Sequence, residues 1–165
     1  MRVTSVLIGL CLALAVCSCG PRTETVKQTY ADGKPQLEFS VYRDENGTMR
    51  RHGDLKEWYR NGNLKKKQHY RRGFRDGVLE EYSEHGLPTH KATYKDGQRH
   101  GVDVQYDENG EPACVAEYSD GKLHGTRQVF YPGGKRSVTF YEDGKEGIWI
   151  LYDADGNALE SKQPQ

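Results

Sequence analysis

Apolar residues fall along this chain in two different ways. From Val3 to Val16 they form a nearly unbroken run of Val, Leu, Ile, Ala and Cys. Downstream they thin into short stretches in which apolar and polar side chains alternate, each ending at an aromatic and each stopped by a glycine. Period-two alternation marks a strand with one face turned inward, whereas an amphipathic helix needs a period of about 3.6. One stretch runs from Gly77 to Tyr82, turns at His85-Gly86, continues to Tyr94 and turns again at Asp96-Gly97. Similar pairs recur as Asn61-Gly62, Asn109-Gly110, Asp120-Gly121, Asp143-Gly144 and Asp155-Gly156. Asn-Gly and Asp-Gly supply the positive φ angles that tight hairpin turns require. The predicted unit is therefore strand, turn, strand, turn.

That unit repeats. Gly53, Gly77, Gly101, Gly125 and Gly147 are spaced by 24, 24, 24 and 22 residues. Five residues after each comes an aromatic: Trp58, Tyr82, Tyr106, Phe130 and Tyr152. Nine residues after each comes another glycine, from Gly62 to Gly156. A second aromatic series, Tyr70, Tyr94, Tyr118 and Tyr141, stands three residues before Gly73, Gly97, Gly121 and Gly144. These landmarks predict an all-β fold, an elongated single-layer antiparallel sheet or solenoid of stacked β-hairpin repeats. Both aromatic series are expected to stack along one side of it. A lone hairpin is marginal, so the units must stabilise one another. Ten or eleven strands about 4.8 Å apart make a ribbon roughly 50 Å long.

The pattern Tyr-x-Asp-Gly-x-x-His-Gly resembles the MORN repeat, in the bacterial variant found among YwqK-type antitoxins. Tyr94-Lys-Asp-Gly-Gln-Arg-His-Gly101 and Tyr118-Ser-Asp-Gly-Lys-Leu-His-Gly125 carry the resemblance most fully. It departs at Asp76, which takes the His position, and in the last unit, two residues short with Glu146 there. The resemblance implies a β-hairpin array and three roles: protein docking, contact with membrane phospholipid, and immunity against a co-encoded toxin.

Composition agrees with a thin β structure. Only 35% of the 165 residues are apolar, yet 11 Tyr and 19 Gly are present. The mean hydropathy of −0.91 would suit a disordered chain, but disordered chains are poor in aromatics.

The N-terminal apolar run is too short to cross about 30 Å of hydrocarbon and has the length of a secretory leader. Its end, Leu14-Ala-Val-Cys-Ser-Cys-Gly20, resembles a bacterial lipobox. Cys19, with Ser18 before it, is the expected lipidation site, and Cys17, preceded by the bulkier Val16, is the runner-up. The resemblance implies diacylglyceryl and N-acyl lipid on Cys19, and no other cofactor is expected. It also implies a periplasm-facing lipoprotein of the cell envelope, and Gly20 favours the outer membrane over the inner. Only Cys114 then remains as a thiol, which excludes an intrachain disulfide. The expected divisions are a leader over 1–18, a lipidated N-terminus and tether over 19–27, an irregular hairpin cap over 28–52, repeats over 53–160 and a tail over 161–165.

No constellation for catalysis is evident. His52, His100 and His124 share one repeat position, but successive hairpins set them roughly 10 Å apart, and imidazoles on one zinc need nitrogens within about 3.5 Å of one another. His69, His85 and His90 have no acidic or thiol partner at ligand spacing. Carboxylate pairs such as Glu80-Glu81 point to opposite faces of a strand. Non-enzymatic binding is therefore expected, with no metal, no small-molecule substrate and no nucleic acid.

Charge is polarised. Residues 20–76 hold 14 basic and 8 acidic side chains, a net of +6, and residues 77–165 hold 9 and 16, a net of −7. Arg60, Lys65, Lys66, Lys67, Arg71, Arg72 and Arg75 form a basic cluster free of acids. It is the candidate surface for anionic headgroups beside the lipid or for an acidic protein groove, with a solvated face as the alternative. The expected function is an immunity lipoprotein that binds a secreted effector enzyme, with a phospholipase as the target class. An envelope scaffold or phospholipid-contacting adaptor is the alternative.

Overall fold

The alternating stretches become strands because a turn-forming glycine stops each one before a helix could close. The computed structural model describes residues 22–164, and Cys17 and Cys19 lie outside the described residues. Twelve strands follow one another: β1 (Thr23–Thr29), β2 (Pro35–Arg43), β3 (Met49–Trp58), β4 (Leu64–Arg71), β5 (Phe74–Tyr82) and β6 (Pro88–Lys95). The second half holds β7 (Gln98–Tyr106), β8 (Pro112–Ser119), β9 (Lys122–Phe130), β10 (Arg136–Glu142), β11 (Lys145–Tyr152) and β12 (Ala158–Lys162). All pair antiparallel with their sequence neighbours in one unclosed sheet, in the order β1 to β12. The all-β, single-layer reading holds.

The strand count rises to twelve because pairing continues past both expected limits. Thr23–Lys27, expected as tether, belongs to β1, and Thr23 to Gln28 pair with Tyr42 to Leu37. Ser161 and Lys162, expected as tail, extend β12 opposite Ile150 and Trp149. Backbone donors and acceptors of β2 and β11 are satisfied by these additions.

Turns alternate between two types, one on each rim of the ribbon. On one rim the turns are two-residue, and both residues take left-handed φ, as at Asp96 (48°) and Gly97 (89°). On the other rim they are wider. In Tyr59–Asn63, for example, Tyr59 N donates to Asn63 O and Gly62 N donates to Tyr59 O, each at 2.9 Å. There the glycine alone is left-handed and Asn61 is not, so the Asn-Gly pairs do not make the tight turn expected of them. The first hairpin turn on the tight rim, Asp44–Thr48, is also wide.

The landmark glycines do not begin strands. Gly77 sits inside β5 with φ 90°, a conformation that costs little only without a Cβ. Gln68 pairs with Leu79 and Tyr70 with Arg75, so three residues of β5 oppose His69 alone. The same bulge occurs in β3, β7 and β9. Even strands carry a second bulge near the wide rim, for instance between β5 and β6 at Glu81/Tyr82. The shortened last unit lacks one residue at each place: β9 and β10 pair without any shift, and the β11 bulge is one residue smaller.

Because paired residues share a face, the register sorts the side chains into two faces. Down the middle of one, here the front, runs Leu55, Gln68, Leu79, Ala92, Asp103 and Ala116, followed by Arg127 and Thr139. Leu79 and Ala92 are 2% and 0% exposed, although no second layer covers them. Tyr94 joins them in one buried cluster. The narrow core is thus this row with Tyr70 and Tyr94 buried beside it, and Val138 is buried on the other face.

Candidate functional site

The aromatics do not share a side. Tyr70 and Tyr94 follow Gln68 and Ala92 by two residues and so lie on the front face, where both are buried; Tyr118 and Tyr141 continue their row. Trp58, Tyr82, Tyr106, Phe130 and Tyr152 fall one residue out of phase with that face and line the back near the wide rim.

On the front face the tyrosines interleave with arginines. Arg51 Nη1 donates to the Tyr70 hydroxyl at 3.2 Å, Arg75 Nη1 to Tyr94 at 3.2 Å, and Arg99 Nη1 to Tyr118 at 3.1 Å. Each guanidinium also lies over the ring it bonds, with centroid distances of 5.3, 5.1 and 5.1 Å. Cation–π attraction and a charge-assisted bond reinforce each other here. The interaction in which Arg99 donates to the Tyr94 hydroxyl holds its guanidinium above its ordinary pKa, with Asp103 and Tyr118 adding to the effect. The ladder ends at Leu123, which pairs with Tyr118 in the next unit. Arg51 and Arg99 are absent from the sequence-derived candidates, yet the 24-residue spacing of Arg51, Arg75 and Arg99, each two before a landmark glycine, carries the information.

Nearer the wide rim, a charged row crosses the front face. Lys66 Nζ bonds Glu81 at 2.7 Å, His90 lies 3.4 Å from Glu81, and its Nε2 lies 2.9 Å from Asp103. Burial pushes the Glu81 carboxyl up, but Lys66 and His90 outweigh it and hold the group below its ordinary value. His69 likewise meets Asp54 at 2.8 Å. Both histidines therefore have acidic partners, which stand across the hairpin rather than at ligand spacing along the chain. Among the described residues no group of three or more His, Cys, Asp and Glu is placed to hold a metal ion. On the tight rim His100 Nδ1 faces Asp120 at 3.3 Å and His124 Nδ1 faces Asp143 at 3.6 Å. Where Asp76 replaces the histidine, Arg71 bridges it to Asp96, at 2.7 and 3.0 Å.

The back face is divided lengthwise. Its middle row in the first half is Lys27, Glu38, Lys56, Lys67, Glu80 and Lys91. In the second half the same row becomes Val104, Val115, Gln128, Val138 and Ile150. Beside it Val102, Phe130, Phe140 and Ile148 are all exposed. Sequential strand order also lays the +6 and −7 halves end to end.

The hairpin of β3 and β4 contains both a bulge glycine and a ladder tyrosine, and residues 51–72 match the family described as MORN repeat variant. Over that hairpin the chain is similar to the MORN repeat variant. No curated protein matches it. This MORN hairpin and the start of β5 hold the seven basic residues predicted as one surface, and the fold scatters them. Lys65 bonds Glu57 at 2.7 Å, Lys66 turns inward to Glu81, and Arg60 lies 3.6 Å from Asp32. Lys67 points to the back face, Arg71 bridges two aspartates, and Arg72 occupies a tight turn with φ 52°. Arg75 is a rung of the front-face ladder. The cluster has no acid within it along the chain, but strands on either side supply acids in space. Cys114 is a free, half-buried thiol on the front face beyond the MORN hairpin, between Gln105 and Val129.

Proposed function

We propose that this chain is a membrane-anchored periplasmic binding protein that holds a protein partner. The observation that supports it is the lengthwise division of the back face into a charged half and an exposed apolar half. A contiguous apolar patch rimmed by charges is characteristic of an interaction surface, and opposite net charges at the two ends orient a partner as it approaches. The finer reading is an immunity lipoprotein, lipidated at Cys19 and facing the periplasm from the outer membrane. There it neutralises a secreted antibacterial effector, with a phospholipase as the target class. This agrees with the resemblance to YwqK-type antitoxins and with the protein-binding role common to MORN repeats. The pairing of Lys65, Lys66, Arg60 and Arg71 with acids weakens the phospholipid-contacting alternative, because little of their charge is left for headgroups.

The chain beginning at Gly20 contains all twelve strands and is the form to test against candidate effectors by pull-down and calorimetry. Submicromolar capture of one effector, without retention on phosphatidylglycerol vesicles, is expected. Retention on vesicles with no effector bound at micromolar concentration would replace immunity by the adaptor role. Cys19→Ala is expected to release the full-length protein from the membrane, and membrane association that persists in that variant would refute the anchor.

A further inference from the structure

The Arg–Tyr ladder is regular in its rungs but not in its counter-charges. Arg99 has a carboxylate beside it, with Nε 3.3 Å from Asp103 Oδ2. Asp103 belongs to the middle row of the front face, and at the two earlier repeats that row holds Leu79 and Leu55 instead. Arg75 and Arg51 accordingly have no acidic partner among the described residues, and their side-chain contacts are with aromatics. Both stand beside Tyr70: Arg51 donates to its hydroxyl at 3.2 Å, and Arg75 is its direct cross-strand partner. Two like charges on either side of one neutral side chain repel each other and favour an anion between them.

A groove opens at this place. Arg51, Arg75 and Tyr70 line it together with Leu55, Glu57 and Lys66. Glu57 and Lys66 bring no net charge to it, since each is already paired at 2.7 Å, with Lys65 and with Glu81. What is left is a mostly polar cleft, with Leu37 and Leu55 in its lining and two uncompensated guanidiniums. We infer that this cleft is an anion site that receives a carboxylate side chain of a protein partner, the planar group entering between Arg51 and Arg75 with the Tyr70 hydroxyl beneath it. A guanidinium presents paired donors in the plane that a carboxylate matches. Leu37 and Leu55 in the lining fit the methylenes of a Glu or Asp side chain. The site is on the front face, whereas the exposed apolar patch is on the back. It rests on the reading of the chain as a protein-binding module and gives that module a second, sequence-reading contact.

The test uses the chain from Gly20, with a hexaglutamate peptide, inorganic phosphate and phosphatidylglycerol vesicles as probes. Arginine Nε resonances are followed by NMR. The peptide is expected to shift Arg51 and Arg75 saturably and to leave Arg99 in place, because Asp103 already satisfies Arg99. Arg51→Gln and Arg75→Gln are each expected to weaken peptide binding about tenfold, the loss of one charge-assisted contact. Arg99→Gln removes an equivalent rung of the ladder, so its unchanged peptide affinity separates binding from scaffold damage. Absence of a saturable shift overturns the inference, as does an equal shift at Arg99 or a preference for phosphate or vesicles over peptide. If a captured effector binds Arg51→Gln/Arg75→Gln as tightly as the parent, this site fails while the proposed function stands.

Discussion

Leu79→Ala and Val78→Ala truncate adjacent residues of β5 whose side chains lie on opposite faces of the sheet. Leu79 is 2% exposed, between Gln68 and Ala92 in the middle row of the front, whereas Val78 is 42% exposed on the back. Truncating a buried leucine loses its transfer free energy and leaves a cavity, together about 2–5 kcal/mol. A single-layer sheet can close part of such a cavity, so the lower half of that range, about 2–3 kcal/mol, is expected for Leu79→Ala. Val78→Ala removes two methyl-sized groups that are already largely hydrated. Full burial of one methylene is worth about 0.8 kcal/mol, so a cost below about 1 kcal/mol is expected there. Because neighbouring repeats unfold in a coupled but not all-or-none manner, the assay is native-state hydrogen exchange along β4 to β7 with urea unfolding beside it. Equal costs for the two variants, or a larger cost for Val78→Ala, would refute the placement of the core on the front face.

Gly97→Val puts a β-branched side chain at φ 89°, where even a Cβ would lie 3.2 Å from Phe74 Cδ1. A loss of about 1–3 kcal/mol in thermal or urea unfolding is expected, and an unchanged midpoint would count against the left-handed turn. Tyr94→Phe removes the hydroxyl that accepts from Arg75 and should cost about 1–2 kcal/mol in urea unfolding. The same change at Tyr152, whose ring lies under Arg136, should cost less, and the reverse order would contradict the ladder. In the wide turns, Arg50 for Asp44, the Glu111 amide for Asp107 and the Asn157 side chain for Asp153 are the leading groups that hold these carboxyls below their ordinary pKa. Their stabilisation is therefore complete above the unfolded value of about 3.9 and is lost as pH falls through the lower folded values. NMR titration that places all three at or above about 3.9 would contradict the turn geometry.

The repeat is legible in the sequence, but its sidedness is not. The 24-residue spacing is a property of the hairpin and survives any change of side chain between landmarks, so the expected strand number and order come close to those of the structure. Faces are set by parity, and the full-length repeats add bulge residues on both rims. Trp58 and Tyr70 are twelve positions apart, which says nothing about whether they share a side until the bulge at Glu57/Trp58 is known. The landmark glycines stand out in the sequence, but a positive-φ glycine can end a turn or widen a strand, and only the pairing of Tyr70 with Arg75 decides for the bulge. Charge clustering misleads for a related reason. Lys66 and Glu81 are fifteen residues apart along the chain and 2.7 Å apart in space, so an acid-free run of sequence is not an acid-free surface.

The bulges also bear on how such a chain tolerates length changes. In a regular strand, losing one residue turns every later side chain to the other face. The final repeat is two residues short, and the missing residues come from the two bulge positions, one near each rim. Trp149 still pairs with Thr139 in the middle row of the front face, and Tyr141 still meets Glu146. The bulges thus act as slack in the sheet's phase: a deletion there is absorbed locally, while the same deletion a few residues away would turn the core outward.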